Sequence, residues 1–206
     1  MRSTILTLCV LASTLLFAQC ESAAPAPAKA SGSGNLTEAW STVYKVLQSP
    51  RCMNCHPAGD TPLVGEASQP HPQNVQRGPL GVGLFAMRCN TCHQTQNTEG
   101  PHLPPGAPRW QLPTRGMPLV FQGKSSRELC EQLSDPRRNG GKSPEELLEH
   151  VAKDPLVLWG WAPGEGRASV PVPHAEFVRA FQTWIESGCK YPGESRTLTK
   201  PGSGAP

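Results

Sequence analysis

The sequence predicts a mainly α-helical fold in which short helices are joined by long, irregular loops. Three observations predict it. Apolar residues recur at helical spacing in separate segments, and no segment alternates apolar and polar residues as a half-buried strand does. The chain also holds 20 Gly and 23 Pro among 206 residues, with only 37% hydrophobic and 6% aromatic residues. A chain so poor in core formers needs a further element to hold it together.

The N-terminus has the pattern of an export signal. Arg2 supplies a positive charge, and residues 5–18 form an apolar run of about 14 residues, too short to span a bilayer. We therefore expect residues 1–20 to be a signal peptide and the mature protein to be periplasmic, in an oxidising compartment. Cys20 follows the run as in a bacterial lipobox, where acylation would anchor the chain to the membrane. Gln19 departs from the small residue expected there, so cleavage without lipidation is the alternative.

The first helix is expected from about residue 36, after a flexible linker. Residues 21–35 are rich in Ala, Pro, Gly and Ser and are predicted to form that linker. The helix ends before Pro50. Its apolar positions recur at helical spacing: Leu36, Trp40, Val43 and Leu47.

The second and third helices are recognised by their N-terminal caps. The second is predicted at 126–134 and the third at about 144–152, with Pro144 at its first position. Each start has the Ser-x-x-Glu pattern of a capping box, in which two side chains bond to backbone N–H groups that the helix leaves unpaired. The pairs are Ser125 with Glu128 and Ser143 with Glu146.

The fourth helix is predicted at about 174–187, ended by Gly188. Its apolar stripe consists of Phe177, Phe181, Trp184 and Ile185. Residues 193–206 are expected to form a disordered tail. Two connections, 57–86 and 94–123, are longer than loops in a compact domain usually are, and loops of that length normally enclose something.

One motif is repeated, and it indicates what the loops enclose. Cys-x-x-Cys-His occurs at residues 52–56 and 89–93, which is the attachment signature of c-type haem. Two cysteines three apart on a helical turn face the same side, so both sulfurs can reach one porphyrin while the histidine ligates the iron. We therefore predict two covalently bound haem c groups within a cytochrome c-like domain spanning 36–192. The expected cofactor-binding residues are Cys52, Cys55, His56, Cys89, Cys92 and His93.

Other interpretations of the repeated cysteines agree less well with the sequence. A thioredoxin-like couple would leave each histidine unexplained and needs a βαβ pattern that the chain does not show. A four-thiolate zinc ribbon usually has roughly 15–20 residues between its cysteine pairs, whereas 33 separate Cys55 from Cys89. Two short disulfides would staple a domain poorly. Both motifs are expected where a helix starts or continues, after Pro50 and after residues 84–87.

Two further cysteines, Cys130 and Cys189, lie near predicted helices. In an oxidising compartment we expect a disulfide between them, with two thiols as the alternative. Such a bond would close a loop of about 60 residues, for which chain entropy predicts roughly 4 kcal/mol of stabilisation.

The sixth iron ligand affects what a haem can do. A Met ligand raises the reduction potential of the haem, a second His lowers it, and an open site permits ligand chemistry. His71 lies 15 residues beyond His56 in a Pro-rich loop and is expected at the first haem. Met117 lies 24 residues beyond His93 and is expected at the second, so that Met117→Ala would make one haem high-spin. His150 is the alternative for either haem.

The motifs and their surroundings resemble exported dihaem cytochromes c known as isoquinoline 1-oxidoreductase subunits, which are encoded with molybdenum hydroxylases. The likeness covers roughly 40–192 and includes Pro-Gly-Ala-Pro and Trp-Gly-Trp segments. It rests on residues 52–57, 77–78, 88–93, 105–108, 110, 117, 123–125, 130, 135–136, 139–141 and 159–161. The resemblance implies an electron-transfer partner of a periplasmic dehydrogenase.

The sequence therefore predicts an electron-transfer protein, not an enzyme, that passes electrons between a dehydrogenase and an acceptor. The alternative is a haem enzyme with peroxidase-like or nitric-oxide chemistry at an open coordination site. The net charge is +3 and there is no run of Lys or Arg, so no nucleic-acid partner is expected.

Overall fold

The structure is a computed structural model that describes residues 34–193. The predicted signal peptide, Cys20, nearly all of the predicted linker and nearly all of the predicted tail lie outside the described residues. No helix in the described part is long and apolar enough to cross a membrane. The elements are α1 Gly34–Leu47, α2 Pro50–Met53, β1 Leu63–Val64, β2 Gln69–Pro70, β3 Gly83–Leu84, β4 Met87–Arg88, a 3-10 turn Cys89–Thr91, α3 Ser126–Ser134, α4 Pro144–Lys153, α5 Pro155–Leu158, a 3-10 turn Trp159–Trp161 and α6 His174–Glu186.

The mainly α fold is confirmed, and the core lies where α1 packs against α6. Trp40 of α1 and Trp184 of α6 are buried, with ring centroids 5.1 Å apart. Trp40 also donates a hydrogen bond of 2.8 Å to the Ser126 hydroxyl, which ties α1 to the start of α3. The apolar stripe of α6 supplies two further large rings of this cluster, Phe177 and Phe181.

The capping residues of α3 and α4 act as predicted. The Ser125 hydroxyl accepts from the Glu128 backbone N–H, and the Glu128 carboxylate accepts from Ser125 N–H. Ser143 and Glu146 make the same reciprocal bonds at α4. Local bonds of this kind involve only residues three apart, so they are readable from sequence.

Two small hairpins were not predicted. β1 pairs with β2 and β3 with β4, both antiparallel and two residues long. Residues 84–87, expected to lead into a helix, form the end of β3, a two-residue turn and the start of β4, and the second motif begins as a 3-10 turn. Gly83 makes this turn possible, because its φ is +88° and a Cβ there would lie 2.5 Å from the Met87 carbonyl oxygen.

The short helix α5 and the following turn were also missed. Pro155 takes the first helical position, and the Asp154 side chain accepts a hydrogen bond from Leu156 N–H. Four residues are too few to show helical periodicity in a sequence, so only the cap could have indicated this element.

The two long loops are joined by one buried arginine. The side chain of Arg77 is 0% exposed. Its guanidinium donates to four carbonyl oxygens, two in each loop, at 3.0–3.3 Å: Pro57, Gly59, Pro113 and Pro118. A planar group with five donors suits this task, since each buried carbonyl requires a hydrogen-bond partner.

Candidate haem-binding sites

The first motif forms one continuous turn of helix. α2 begins with Pro50 at its first position and contains Cys52. The turn continues past the end of α2, because Cys55 N–H donates to the Cys52 carbonyl and His56 N–H donates to the Met53 carbonyl. Local backbone bonds therefore hold the two thiols and the imidazole of the first motif together.

The imidazole of His56 is held at one nitrogen. Its Nδ1 lies 2.7 Å from the Leu119 carbonyl oxygen. A carbonyl only accepts, so Nδ1 carries the proton and Nε2 keeps its lone pair. Phe121 stacks on the ring at a centroid distance of 3.8 Å, and its own N–H donates to the His56 carbonyl. Burial lowers the pKa of His56 to about 4, which keeps the imidazole neutral.

The second motif repeats this arrangement with different residues. Cys92 N–H and His93 N–H both donate to the Cys89 carbonyl, which closes the turn. His93 Nδ1 lies 2.7 Å from the Pro105 carbonyl oxygen. Trp110 stacks on the ring at 4.6 Å, with 5° between the planes. Burial lowers the pKa of His93 as well.

These supporting groups were not foreseen as parts of the site. The carbonyls of Leu119 and Pro105 fix the tautomer of each histidine, as the hydrogen-bond partners of metal-ligating histidines do. Any residue type can supply a backbone carbonyl, so no sequence pattern marks one. The aromatic rings offered the only signal, since Trp110 and Phe121 stand out in loops with few large side chains.

The motif thiols differ from those of redox couples. Burial raises the pKa of Cys52 to about 12 and that of Cys55 to about 11, and it also raises the pKa of Cys89. Reactive cysteine pairs use thiolates, which need a lowered pKa. Within residues 34–193, no three His, Cys, Asp or Glu side chains converge on a position able to hold an ion.

The two motifs lie near each other. Charge on the Cys89 thiolate contributes to the raised pKa of Cys55, after the larger effect of burial. The thiols of the two motifs are therefore within electrostatic reach, although 33 residues separate Cys55 from Cys89 in the sequence.

His71 lies beside the second motif. Its ring centroid is 6.3 Å from that of His93, with 69° between the ring planes. This placement differs from the expectation that His71 serves the first haem. The loop geometry accounts for it: the β1–β2 hairpin reverses the chain, and His71 N–H donates to the Pro62 carbonyl. Separation along the chain from His56 therefore did not determine which motif His71 approaches.

Met117 belongs to a segment that contacts the first motif. The next two residues include the Pro118 carbonyl held by Arg77 and the Leu119 carbonyl that accepts from His56. These contacts do not favour the expectation that Met117 ligates the second haem. They place its segment on the Nδ1 side of His56.

His150 is near the first motif and is itself oriented by an acidic side chain. Its Nδ1 lies 3.2 Å from Asp154 Oδ2, one helical turn further on. Positive charge on His150 contributes to the lowered pKa of His56, after burial, so the two rings are within electrostatic reach. The carboxylate favours the tautomer with Nδ1–H and leaves Nε2 of His150 available.

Cys130 and Cys189, the predicted disulfide pair, lie near each other. Cys130 Sγ lies 4.0 Å from the Cys189 carbonyl oxygen, and Trp184 Nε1 donates to the same sulfur at 3.3 Å. The two sulfurs are not bonded to each other in the structure, so the disulfide stays a prediction.

The residues present fit covalent haem at both motifs. Each motif combines two cysteines with a neutral histidine whose Nδ1 is occupied by a backbone carbonyl and whose Nε2 is available to a metal. Comparison with protein-family models, with curated proteins and with solved structures finds no match. The interpretation of the site therefore rests on its own geometry.

Proposed function

We propose that the chain is a periplasmic dihaem c-type cytochrome that transfers electrons between a dehydrogenase or other oxidoreductase and an acceptor. The observation that carries the proposal is the matched pair of hydrogen bonds at the two motif histidines. His56 and His93 each direct Nδ1 to a backbone carbonyl at 2.7 Å and each stack on an aromatic ring. Two different segments of the 94–123 loop thus provide the same kind of support to the two motifs.

The chain's own residues would attach, orient and shield the cofactor. Cys52 and Cys55 at one site, and Cys89 and Cys92 at the other, would add their S–H groups across vinyl double bonds, so no group is lost. The histidine of each motif would ligate iron through Nε2, and the carbonyl at Nδ1 would increase the basicity of the ring. Haem iron supplies reversible one-electron chemistry when bound, at a potential tuned by its axial ligands and burial.

The surface around the second motif supports an apolar cofactor there. The large apolar side chains that are exposed within the described residues fall in one interval, 80–103, which contains the motif. They are Leu80, Leu84, Phe85, Met87 and Leu103, and Phe85 is 93% exposed. Where exposed apolar side chains form a contiguous patch, the patch usually contacts something else.

A redox protein is the partner that this role requires. The likeness to isoquinoline 1-oxidoreductase subunits implies a periplasmic dehydrogenase as the donor, and Cys20 offers a lipid anchor for the complex. The Cys89 thiolate contributes to the raised pKa of Cys55, after burial, and a short separation of the two motifs would suit electron transfer between two irons within one chain.

Intact mass tests the cofactor content. The full chain is produced in a bacterial host with the c-type maturation system, and its mass should exceed the polypeptide by two haem units. The Cys52→Ala/Cys55→Ala variant should lose one unit, and Cys89→Ala/Cys92→Ala should lose the other. The control variant Cys130→Ala/Cys189→Ala removes two cysteines outside the motifs and should keep both. A wild-type protein without added mass, or with zinc instead, contradicts the proposal.

Carbon monoxide separates electron transfer from catalysis at an open haem. Two six-coordinate irons in the reduced wild-type protein should leave the visible spectrum nearly unchanged by carbon monoxide. Rapid formation of a carbonyl complex at one iron in the wild type would instead favour the peroxidase-like or nitric-oxide alternative.

A further inference from the structure

The close approach of the His71 ring to the His93 ring indicates a role for His71 at the second site. This inference rests on the proposed function. The two rings come from loops on different sides of the β3–β4 hairpin, 22 residues apart in the sequence. Their centroids are 6.3 Å apart and their planes are inclined by 69°. His93 Nδ1 is taken by the Pro105 carbonyl, so a hydrogen bond through that nitrogen does not account for the arrangement.

The separation matches two imidazoles on opposite sides of one metal ion. With a metal–nitrogen bond of about 2 Å and about 1.1 Å from nitrogen to ring centre, the two centroids come to lie roughly 6 Å apart. An edge-to-face contact between two rings also falls within this range of distance. Such a contact, however, leaves one observation unexplained.

That observation is a buried nitrogen on the His71 ring. Nδ1 of His71 is buried and has no hydrogen-bond partner of normal geometry among the described residues, although the Gln73 side chain lies close to the ring. An unpaired buried polar atom costs free energy in a folded protein, and coordination of the iron through Nδ1 of His71 would satisfy this atom.

We propose that His71 is the sixth ligand of the second haem, on the opposite face of the iron from His93. Two histidine ligands give that haem a lower potential than a His–Met pair would. The angle between the two ring planes predicts a second, independent property of the oxidised haem. Nearly perpendicular axial imidazoles leave two iron d orbitals close in energy, so the oxidised haem should show a strongly anisotropic low-spin electron paramagnetic resonance signal.

Spectroscopy of a His71→Ala variant tests the ligand. Half of the oxidised haem should become high-spin, the anisotropic low-spin signal should disappear, and added imidazole should restore a low-spin spectrum. His71→Met should keep two low-spin haems and raise the potential of one of them. The control is His102→Ala, which removes an exposed loop histidine and should change neither the spin state nor the potentials.

The possible outcomes separate this inference from the proposed function. If His71→Ala retains two haem units and the wild-type spectra, or if His71→Met leaves both potentials unchanged, His71 is not the ligand although the dihaem assignment stands. If His71→Ala is recovered with one haem only, the potentials of His71→Met decide. If the wild-type mass lacks haem, the proposed function itself fails before the ligand is in question.

Discussion

At the scale of single residues, the nitrogen that each histidine has engaged distinguishes its role. His56, His93 and His150 have Nδ1 held by a carbonyl or carboxylate oxygen, which leaves Nε2 available. His174 instead has Nε2 next to the Val151 carbonyl at 3.0 Å, and its ring packs edge-on against Trp161. His174 therefore links α6 to α4, whereas the first three leave Nε2 available, which is one arrangement found in metal-ligating histidines.

This pattern favours His150 over Met117 as the sixth ligand of the first haem. His150→Ala should convert one of the two haems to high spin, because the ring that Asp154 orients would be lost. Met117→Ala should leave both haems low-spin, since its segment contacts the Nδ1 side of His56. The measurement is the visible and electron paramagnetic resonance spectrum of the oxidised protein.

The double variant His71→Ala/His150→Ala provides the check on this assignment. It should make both haems high-spin, because the two substitutions act at different irons. A high-spin haem in Met117→Ala, with His150→Ala unchanged, would restore Met117 as the ligand and contradict the assignment of His150.

At the scale of elements, the helices are defined by their N-terminal caps as much as by their apolar stripes. At α3, the Glu128 carboxylate accepts from the Ser125 hydroxyl at 2.7 Å and from Ser125 N–H at 2.8 Å. The hydrogen bonds from Ser125, together with Lys124 close by, lower the pKa of Glu128 from 4.5 to about 2. The ionised carboxylate is thus favoured in the folded state.

The capping carboxylate makes the stability of the protein depend on pH. Because the folded pKa is below the unfolded one, the stabilisation is complete above pH 4.5 and is lost as pH falls towards about 2. The free energy of unfolding of Glu128→Gln should be lower than that of the wild type at neutral pH. Measured by urea unfolding, the difference should shrink between these two pH values.

A matched substitution on the same helix serves as the control. Glu131→Gln removes a carboxylate outside the capping box, so its difference from the wild type should not follow the same pH course. A constant difference for Glu128→Gln across the acidic range would show that its ionisation does not contribute to folding.

At the scale of the whole molecule, a helical core and two long loops have to be held together. Phe121 belongs to both, because it stacks on His56 and lies in the buried cluster around Trp40 and Trp184. Cys130 lies in α3, and Cys189 follows the end of α6. A disulfide between them would close the part of the chain that forms most of the core.

The disulfide should stabilise the protein substantially. Exported wild-type protein should be lighter, before reduction, by the mass of the hydrogens that oxidation removes. Cys189→Ala should lower the free energy of unfolding by roughly 4 kcal/mol, because the unfolded chain regains the freedom of a loop of about 60 residues. Thermal or urea unfolding measures the change.

Reductant provides the control for this substitution. It should lower the stability of the wild type to that of Cys189→Ala and leave the variant itself unchanged. Equal stability of the wild type with and without reductant would mean that Cys130 and Cys189 are not joined.

The longer helices were predictable because their signals are local. The caps of α3 and α4 and the stripe of α6 involve residues only three or four positions apart, and all three helices were predicted within a residue or two of their ends. The hairpins and α5 were missed because two to four residues are too few to show a period. The Cys-x-x-Cys-His motifs could be found in the sequence for the same reason, because haem attachment depends on a fixed spacing within one helical turn.

The sequence by itself determined the mainly helical fold, its capped helices and the positions at which haem is expected, because these depend on near neighbours in the chain. Only the tertiary structure decided which loop histidine approaches which motif, which carbonyls hold His56 and His93, and that Arg77 joins the two long loops. These contacts connect residues 12 to 63 positions apart. They depend on backbone groups and on the conformation of the loops, and neither is marked by a pattern of residue types in the sequence. The chain must fold before such partners meet.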